Sequence, residues 1–137
     1  MKALTDAIWA KMTSSTDLYA DIAGRLFKGR APQNADWPYV VFFVVTDNPD
    51  NAFAKDGDEA LVQFSVFSKA AGNAEAENIV SHLRALYDDV ALTITGHTLI
   101  GFAWNNTVPM AEEHPTPDGT IEVWHYAVEY LATRQEN

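Results

Sequence analysis

The sequence predicts an α+β domain: a mostly antiparallel sheet of four to five strands, with N-terminal helices and one long helix packed on one face. Three observations carry this reading. Apolar residues recur at helical spacing at the start of the chain and again over 76–90. Elsewhere they alternate at period two or run without interruption, as strands do. Finally, 137 residues that are 47% hydrophobic and 12% aromatic suffice for one packed core, so a single domain over 1–137 is the simplest organisation.

Leu4, Ile8 and Met12 stand at i, i+4 and i+8, with Trp9 beside them, and define the stripe of a first helix. Ser14-Ser15-Thr16 interrupts it, and Asp17 is placed to cap a second short helix carrying Leu18, Ile22 and Leu26. Gly24 leaves the far end of that helix open. Next comes Ala31-Pro32-Gln33-Asn34-Ala35-Asp36-Trp37-Pro38, a polar loop bracketed by two prolines. Each proline fixes its own φ and pushes the preceding residue toward extended geometry. Pro38 sits where a strand can start without losing a ladder bond. Residues 39–46 are apolar on both faces and read as an interior strand.

Residues 47–58 read as a long loop, of a length that is usually functional or mobile. Val62, Phe64 and Val66 then alternate with Gln63 and Ser65. Asn73 is a candidate cap, Glu75 and Glu77 suit the positive end of a helix dipole, and Ala76, Ile79, Val80, Leu83, Leu86, Tyr87 and Val90 trace one helical face. Residues 92–95 and 98–104 read as strands meeting at Gly96-His97. Val108-Pro109-Met110 opens a second irregular stretch that ends near Asp118-Gly119. From 120 to 132 the chain alternates again, with Trp124, Tyr126, Val128 and Tyr130 on one side and Ile121, Val123, His125, Ala127 and Glu129 on the other.

The net charge is −10, from 19 acidic and 9 basic residues, and such a chain repels nucleic acid and anionic membrane. No apolar run approaches the roughly 18 residues that cross a bilayer, and none near Met1 has signal-peptide length, so a soluble cytosolic product is expected. With no cysteine, disulfides and thiolate metal sites are unavailable, which fits a reducing compartment. The charges segregate. Asp47, Asp50, Asp56, Asp58 and Glu59 share one loop, and Glu112, Glu113 and Asp118 another, whereas Arg25, Lys28 and Arg30 precede Pro32. The long side chains of that basic group can stay solvated, serving assembly and not folding. A chain with separated signs can pair head to tail with copies of itself, with Trp37 or Phe53 as desolvated anchors.

Catalytic chemistry finds no matching pattern. His82, His97, His114 and His125 include no pair at the i, i+4 spacing of a helical zinc site. His82 flanks the apolar stripe of its helix and reads as solvated; His125 alternates with apolar neighbours and reads as a core or interface residue. Glu112-Glu113-His114 is the most metal-like cluster, yet adjacent residues on an extended chain point to opposite sides. There is no glycine-rich phosphate loop and no Gly-x-Ser-x-Gly elbow. In Asp47-Asn48-Pro49-Asp50-Asn51, Pro49 occupies a position where a calcium loop needs a ligand. No catalytic, cofactor-binding or metal-binding residue is therefore named, and no enzyme or cofactor is expected.

The passage from Ala31-Pro32-Gln33 to Pro38-Tyr39-Val40-Val41, following a helical region, resembles the tail-completion proteins of long-tailed phages, also called tail terminators or tail-to-head joining proteins. Val62-Gln63-Phe64-Ser65-Val66-Phe67-Ser68 is similar to that family's alternating central strand. Glu75-Ala76-Glu77 opens a helix just after it, and a long aromatic strand closes the chain. The resemblance runs from about Leu4 to Leu131; the unusually acidic segment 47–59 departs from it. It implies a non-catalytic structural virion protein, located in the tail and in the host cytoplasm during assembly. It further implies a ring, usually a hexamer, that caps the tail tube and joins it to the head. The implied partners are other copies of the chain, the tail tube protein and the head connector protein, with DNA passing through without specific binding. The interface candidates are Arg25, Lys28, Arg30, Trp37, Asp47, Asp50, Phe53, Asp56, Asp58, Glu112 and Glu113. The rival reading is a small acidic protein-binding module, an inhibitor or nucleic-acid mimic acting as monomer or dimer. Mass in solution separates the two.

Overall fold

The computed structural model describes residues 2–14, 16–50 and 57–136, apart from the side chains of Asp50 and Glu136. In chain order the elements are α1 (Lys2–Met12), α2 (Asp17–Asp21), β1 (Leu26–Lys28), β2 (Tyr39–Asp50), β3 (Gly57–Ser68), α3 (Ala74–Tyr87), β4 (His97–Thr116) and β5 (Gly119–Glu136). The strands form one five-stranded sheet in the order β1-β2-β3-β5-β4. β1 runs parallel to β2, and the other neighbours are antiparallel. The mixed architecture and the mostly antiparallel sheet agree with the sequence reading.

The core forms where the two periodicities meet. Val40 and Phe42 of β2, Val62, Phe64 and Val66 of β3, and Tyr126, Val128, Tyr130 and Ala132 of β5 fall in register on one face. They bury together with Leu4, Ile8 and Met12 of α1 and Ala76, Ile79, Leu83 and Tyr87 of α3. At the centre, the Phe64 ring lies 4.8 Å from Tyr87, 5.9 Å from Phe42 and 5.8 Å from Tyr130. The Tyr87 hydroxyl donates to the Ile8 carbonyl over 2.7 Å, so its polar tip is satisfied inside the core and ties α3 to α1.

Several boundaries differ from the sequence reading. α2 stops at Asp21, because Ala23 and Gly24 adopt left-handed backbone (φ 49° and 77°), and Leu26 enters β1 beside Val40 instead of extending the helix. Its cap is Thr16, not Asp17: the Tyr19 amide donates to Thr16 Oγ1 over 3.1 Å. Asn73 holds the cap position of α3 without a side-chain cap bond; its amide instead donates to Glu77 and to the Tyr126 hydroxyl.

Of the expected loop at 47–58, residues 47–50 and 57–58 are paired strand, and the rest lies outside the described residues. β2 and β3 remain in register as far as Asp50↔Gly57, after a register shift between Val44 and Thr46. The expected strand at 92–95 reduces to the single bridge Ile94↔His97. The irregular stretch expected after Val108 is also strand, with β4 and β5 paired out to Thr116↔Gly119. Pro109 and Pro115 are tolerated because β4 is an edge strand, where a missing donor costs no ladder bond on the outer side.

Candidate functional site

The residues singled out by charge and aromaticity gather in three places. The first is the β1 edge of the sheet. Arg25 lies just before β1, and its guanidinium donates to the Pro38 carbonyl through Nε and to the Trp37 carbonyl through Nη2, both at 2.9 Å. It is half-buried, and so is not the solvated side chain expected; it fastens the loop that delivers β2. Lys28 donates to Asp6 Oδ1 over 2.8 Å and stands 5.6 Å above the Trp9 ring. Hydrogen bonds from Lys2 and then Lys28 hold the Asp6 carboxyl down at about 2. Arg30 is exposed. Lys28 and Arg30 rim an open groove of about 580 Å³ floored by Trp9, Leu26, Phe27, Ala31 and Pro32.

The second place is the sheet face away from the helices. Here the alternate residues of β2, β3 and β5 form an aromatic row. Trp37 lies 4.9 Å from Tyr39, Tyr39 stacks on Phe67 at 5.0 Å, and Phe67 stacks on His125 at 4.3 Å. His114 of β4 reaches across to Trp37 at 5.8 Å. Glu112 bridges the two histidines, with His125 Nδ1 2.9 Å from Oε2 and His114 Nε2 3.1 Å from Oε1. Burial pushes the Glu112 carboxyl up, but the hydrogen bonds from His125 and His114 outweigh it and hold the group below its ordinary value. Glu112 and His114 meet because they stand two apart on a strand, whereas Glu113 points away and is exposed. His125 Nε2 is buried without a hydrogen-bond partner. Among the described residues, no group of three or more His, Asp or Glu is disposed to hold a metal ion.

The third place is the outer end of β2 and β3, where the chain passes from one to the other. Arg134 of β5 is 1% exposed and sits directly across from Asp58. Its Nε donates to Asp58 Oδ1 over 2.8 Å, Nη2 engages Asp58 Oδ2, and Nη2 lies 3.5 Å from Asp47 Oδ2. Asp47 and Asp58, expected on an assembly loop, are thus drawn together by a cation of their own chain. Burial pushes both carboxyls up. In Asp58 the hydrogen bond from Arg134 prevails and lowers it, whereas Asp47 stays raised, with its neighbour Asp58 adding to the effect.

Arg134 was not singled out by the sequence reading, although a signal for it exists. The alternation Trp124, Tyr126, Val128, Tyr130, Ala132 continues to position 134, which places a charge on the core face where it requires partners. His82, read as solvated, pairs with Asp21, and that hydrogen bond raises its pKa. Phe53 and Asp56 lie outside the described residues, and Asp50 is described by its backbone alone. No helix among the described residues is long and apolar enough to cross a membrane.

The chain is thus a sheet backed by helices, with charged and aromatic side chains collected on its edges and open face. Residues 6–127 match the family model described as tail completion protein gp17, and the chain belongs to that family. The fold is also that of a chain in the virion of a native gene transfer agent (GTA) particle. The TM-score there is 0.73 at 15% identity, over 96% of this chain and 94% of that one. A further solved structure matches over the same shares at 15% identity with a TM-score of 0.56. No curated protein sequence matches the chain. Family membership implies a structural, non-enzymatic role in the virion.

Proposed function

We propose that this chain, one domain per subunit, completes a phage-type tail by closing into a ring of six copies that caps the tail tube and presents a surface to the head connector. Family membership over residues 6–127 is the observation that carries the reading. The form of the sheet supports it. Its two edges are unlike: a three-residue strand with a basic, apolar groove on one side, and a 20-residue strand on the other. Unlike edges suit a heterologous contact, in which one patch meets a different patch on the next copy and a ring closes if the rotation does. The β4 edge also exposes Ile100, Trp104 and Val108, apolar area on an unpaired edge of the kind that a neighbouring subunit covers. The subunit carries a net charge of −10, so the assembled ring passes DNA without holding it; screening limits that repulsion to roughly 8–10 Å. Assembly takes place in the host cytoplasm.

The experiment is solution mass across a concentration series, with and without the tail tube protein. A closed ring is expected in at least the mixture. A monomer that persists in both settings contradicts the proposal and returns the chain to the class of small acidic binding modules.

A further inference from the structure

The groove at the β1 edge has a distinct chemistry. Its floor is aromatic and aliphatic, from Trp9, Leu26, Phe27 and Pro32, and its rim carries Arg30 and Lys28, the latter also paired with Asp6, in a chain with only nine Lys and Arg residues in all. An occupant matching it has apolar side chains flanked by carboxylates. The tip of the β4–β5 hairpin offers that pattern. Residues 108–124 contain no Lys or Arg. Glu113, Asp118 and Glu122 are exposed there, interleaved with Pro115, Pro117 and the half-buried Ile121.

The hairpin tip also carries a pair of like charges. Glu113 and Glu122 are direct cross-strand partners, so two like charges face each other on one side of the ladder. Such a pair destabilises a free hairpin and is relieved when cations are placed against it. No Lys or Arg of the hairpin tip meets this pair, and Lys69, from the turn after β3, lines one pocket with Glu122 alone of the two. The groove lies at the β1 edge and the hairpin arises at the β4 edge, its tip turned back so that His114 stands 5.8 Å from Trp37 of the same chain; docking on a second copy makes the contact head to tail.

We propose that the β4–β5 hairpin tip of one copy docks in the Lys28–Arg30 groove of the next, with Glu113 and Glu122 against the two cations and Pro115 and Pro117 against the apolar floor. This rests on the ring reading and names the contact that builds the ring. Complementary charge of this kind steers the encounter and fixes the register of neighbouring copies, while the apolar floor supplies the desolvated centre.

Because the chain has no cysteine, a directed cross-link reports the contact without background. The doubly substituted chain Arg30→Cys/Glu122→Cys, oxidised with the tail tube protein present, is expected to give a covalent ladder extending beyond dimer. Each single variant stops at dimer or below. Charge reversal provides the second measurement. Glu113→Lys/Glu122→Lys and Lys28→Glu/Arg30→Glu are each expected to weaken assembly at least tenfold, and a chain carrying all four changes to regain it. The hairpin reversal should not lower the melting temperature, so it decides the matter even where the groove reversal fails to fold.

If wild type forms rings, and the cysteine pair gives no ladder or only an internal cross-link within one chain, the docking is wrong and the ring stands. Normal assembly of the hairpin reversal leads to the same conclusion. If wild type never leaves the monomer, the ring reading fails, and this contact with it.

Discussion

Arg134 is the bulkiest of the fully buried side chains, and its charge gives it a role that its apolar neighbours Tyr130 and Ala132 do not have. A buried guanidinium is tolerated only when paired, and removing one member of such a group leaves the rest uncompensated. Arg134→Met roughly keeps the volume and leaves Asp47 and Asp58 side by side without a cation. Those carboxylates are 26% and 23% exposed, so the expected loss sits at the lower end for broken buried pairs, about 3 kcal/mol by urea denaturation. A change within about 0.5 kcal/mol, typical of surface substitutions, would show that the pair does not hold the outer arms of the hairpin. The loss depends on pH. Asp58 is depressed in the folded chain, so its contribution is present above its unfolded value of about 3.9 and disappears as pH falls through the folded value. Asp47 is raised and acts in the opposite sense: its contribution is full below the unfolded value and lost as pH climbs through the folded one. The gap between wild type and Arg134→Met should therefore narrow in acid as Asp58 protonates. The local sequence shows the charge on the core face but not its partner, since Arg134 and Asp58 are 76 positions apart and only strand register brings them together.

Among the elements, those with a strong local period were legible. α1 and α3 follow from apolar spacing near 3.6, and the inner parts of β3 and β5 from strict alternation. What escaped depends on distant partners. β1 has three residues, too few for any period, and exists because Leu26-Phe27-Lys28 lies alongside Val40-Val41-Phe42. The outer arms of the β2–β3 hairpin read as loop because they are acidic and contain Pro49; they pair because β5 continues alongside and brings Arg134 to them. The outer half of β4 read as irregular because of Pro109 and Pro115, which an edge strand accommodates. The basic group before Pro32 was legible as composition but not as three separate roles. Arg25 is a fastener between β1 and β2, so Arg25→Ala should lower stability by about 1 kcal/mol through two half-buried carbonyls left short of a donor. Arg30→Ala, on the exposed groove rim, should stay within about 0.5 kcal/mol. Thermal or urea unfolding of the two variants side by side checks this. Equal effects would mean that the group acts as a unit after all.

For the whole molecule, composition set the electrostatic character and the fold set where it is expressed. A net charge of −10 is visible in the sequence alone. The division into a cationic groove at one edge and an acidic hairpin toward the other requires the strand order β1-β2-β3-β5-β4. That order makes the subunit polar across its sheet, and a polar subunit of a tail-completion family is suited to closing on itself around an axis. Phe53 and Asp56 remain part of this proposal only through their place in the sequence. The central claim is that the chain acts as a ring at the end of a tail tube. Electron microscopy of tubes assembled from the tube protein, with this chain added, tests it most directly. A single ring of six copies seated at one end of each tube, halting further growth there, is the expected result. Decoration along the tube wall, or tube ends left bare at saturating concentration, would contradict it.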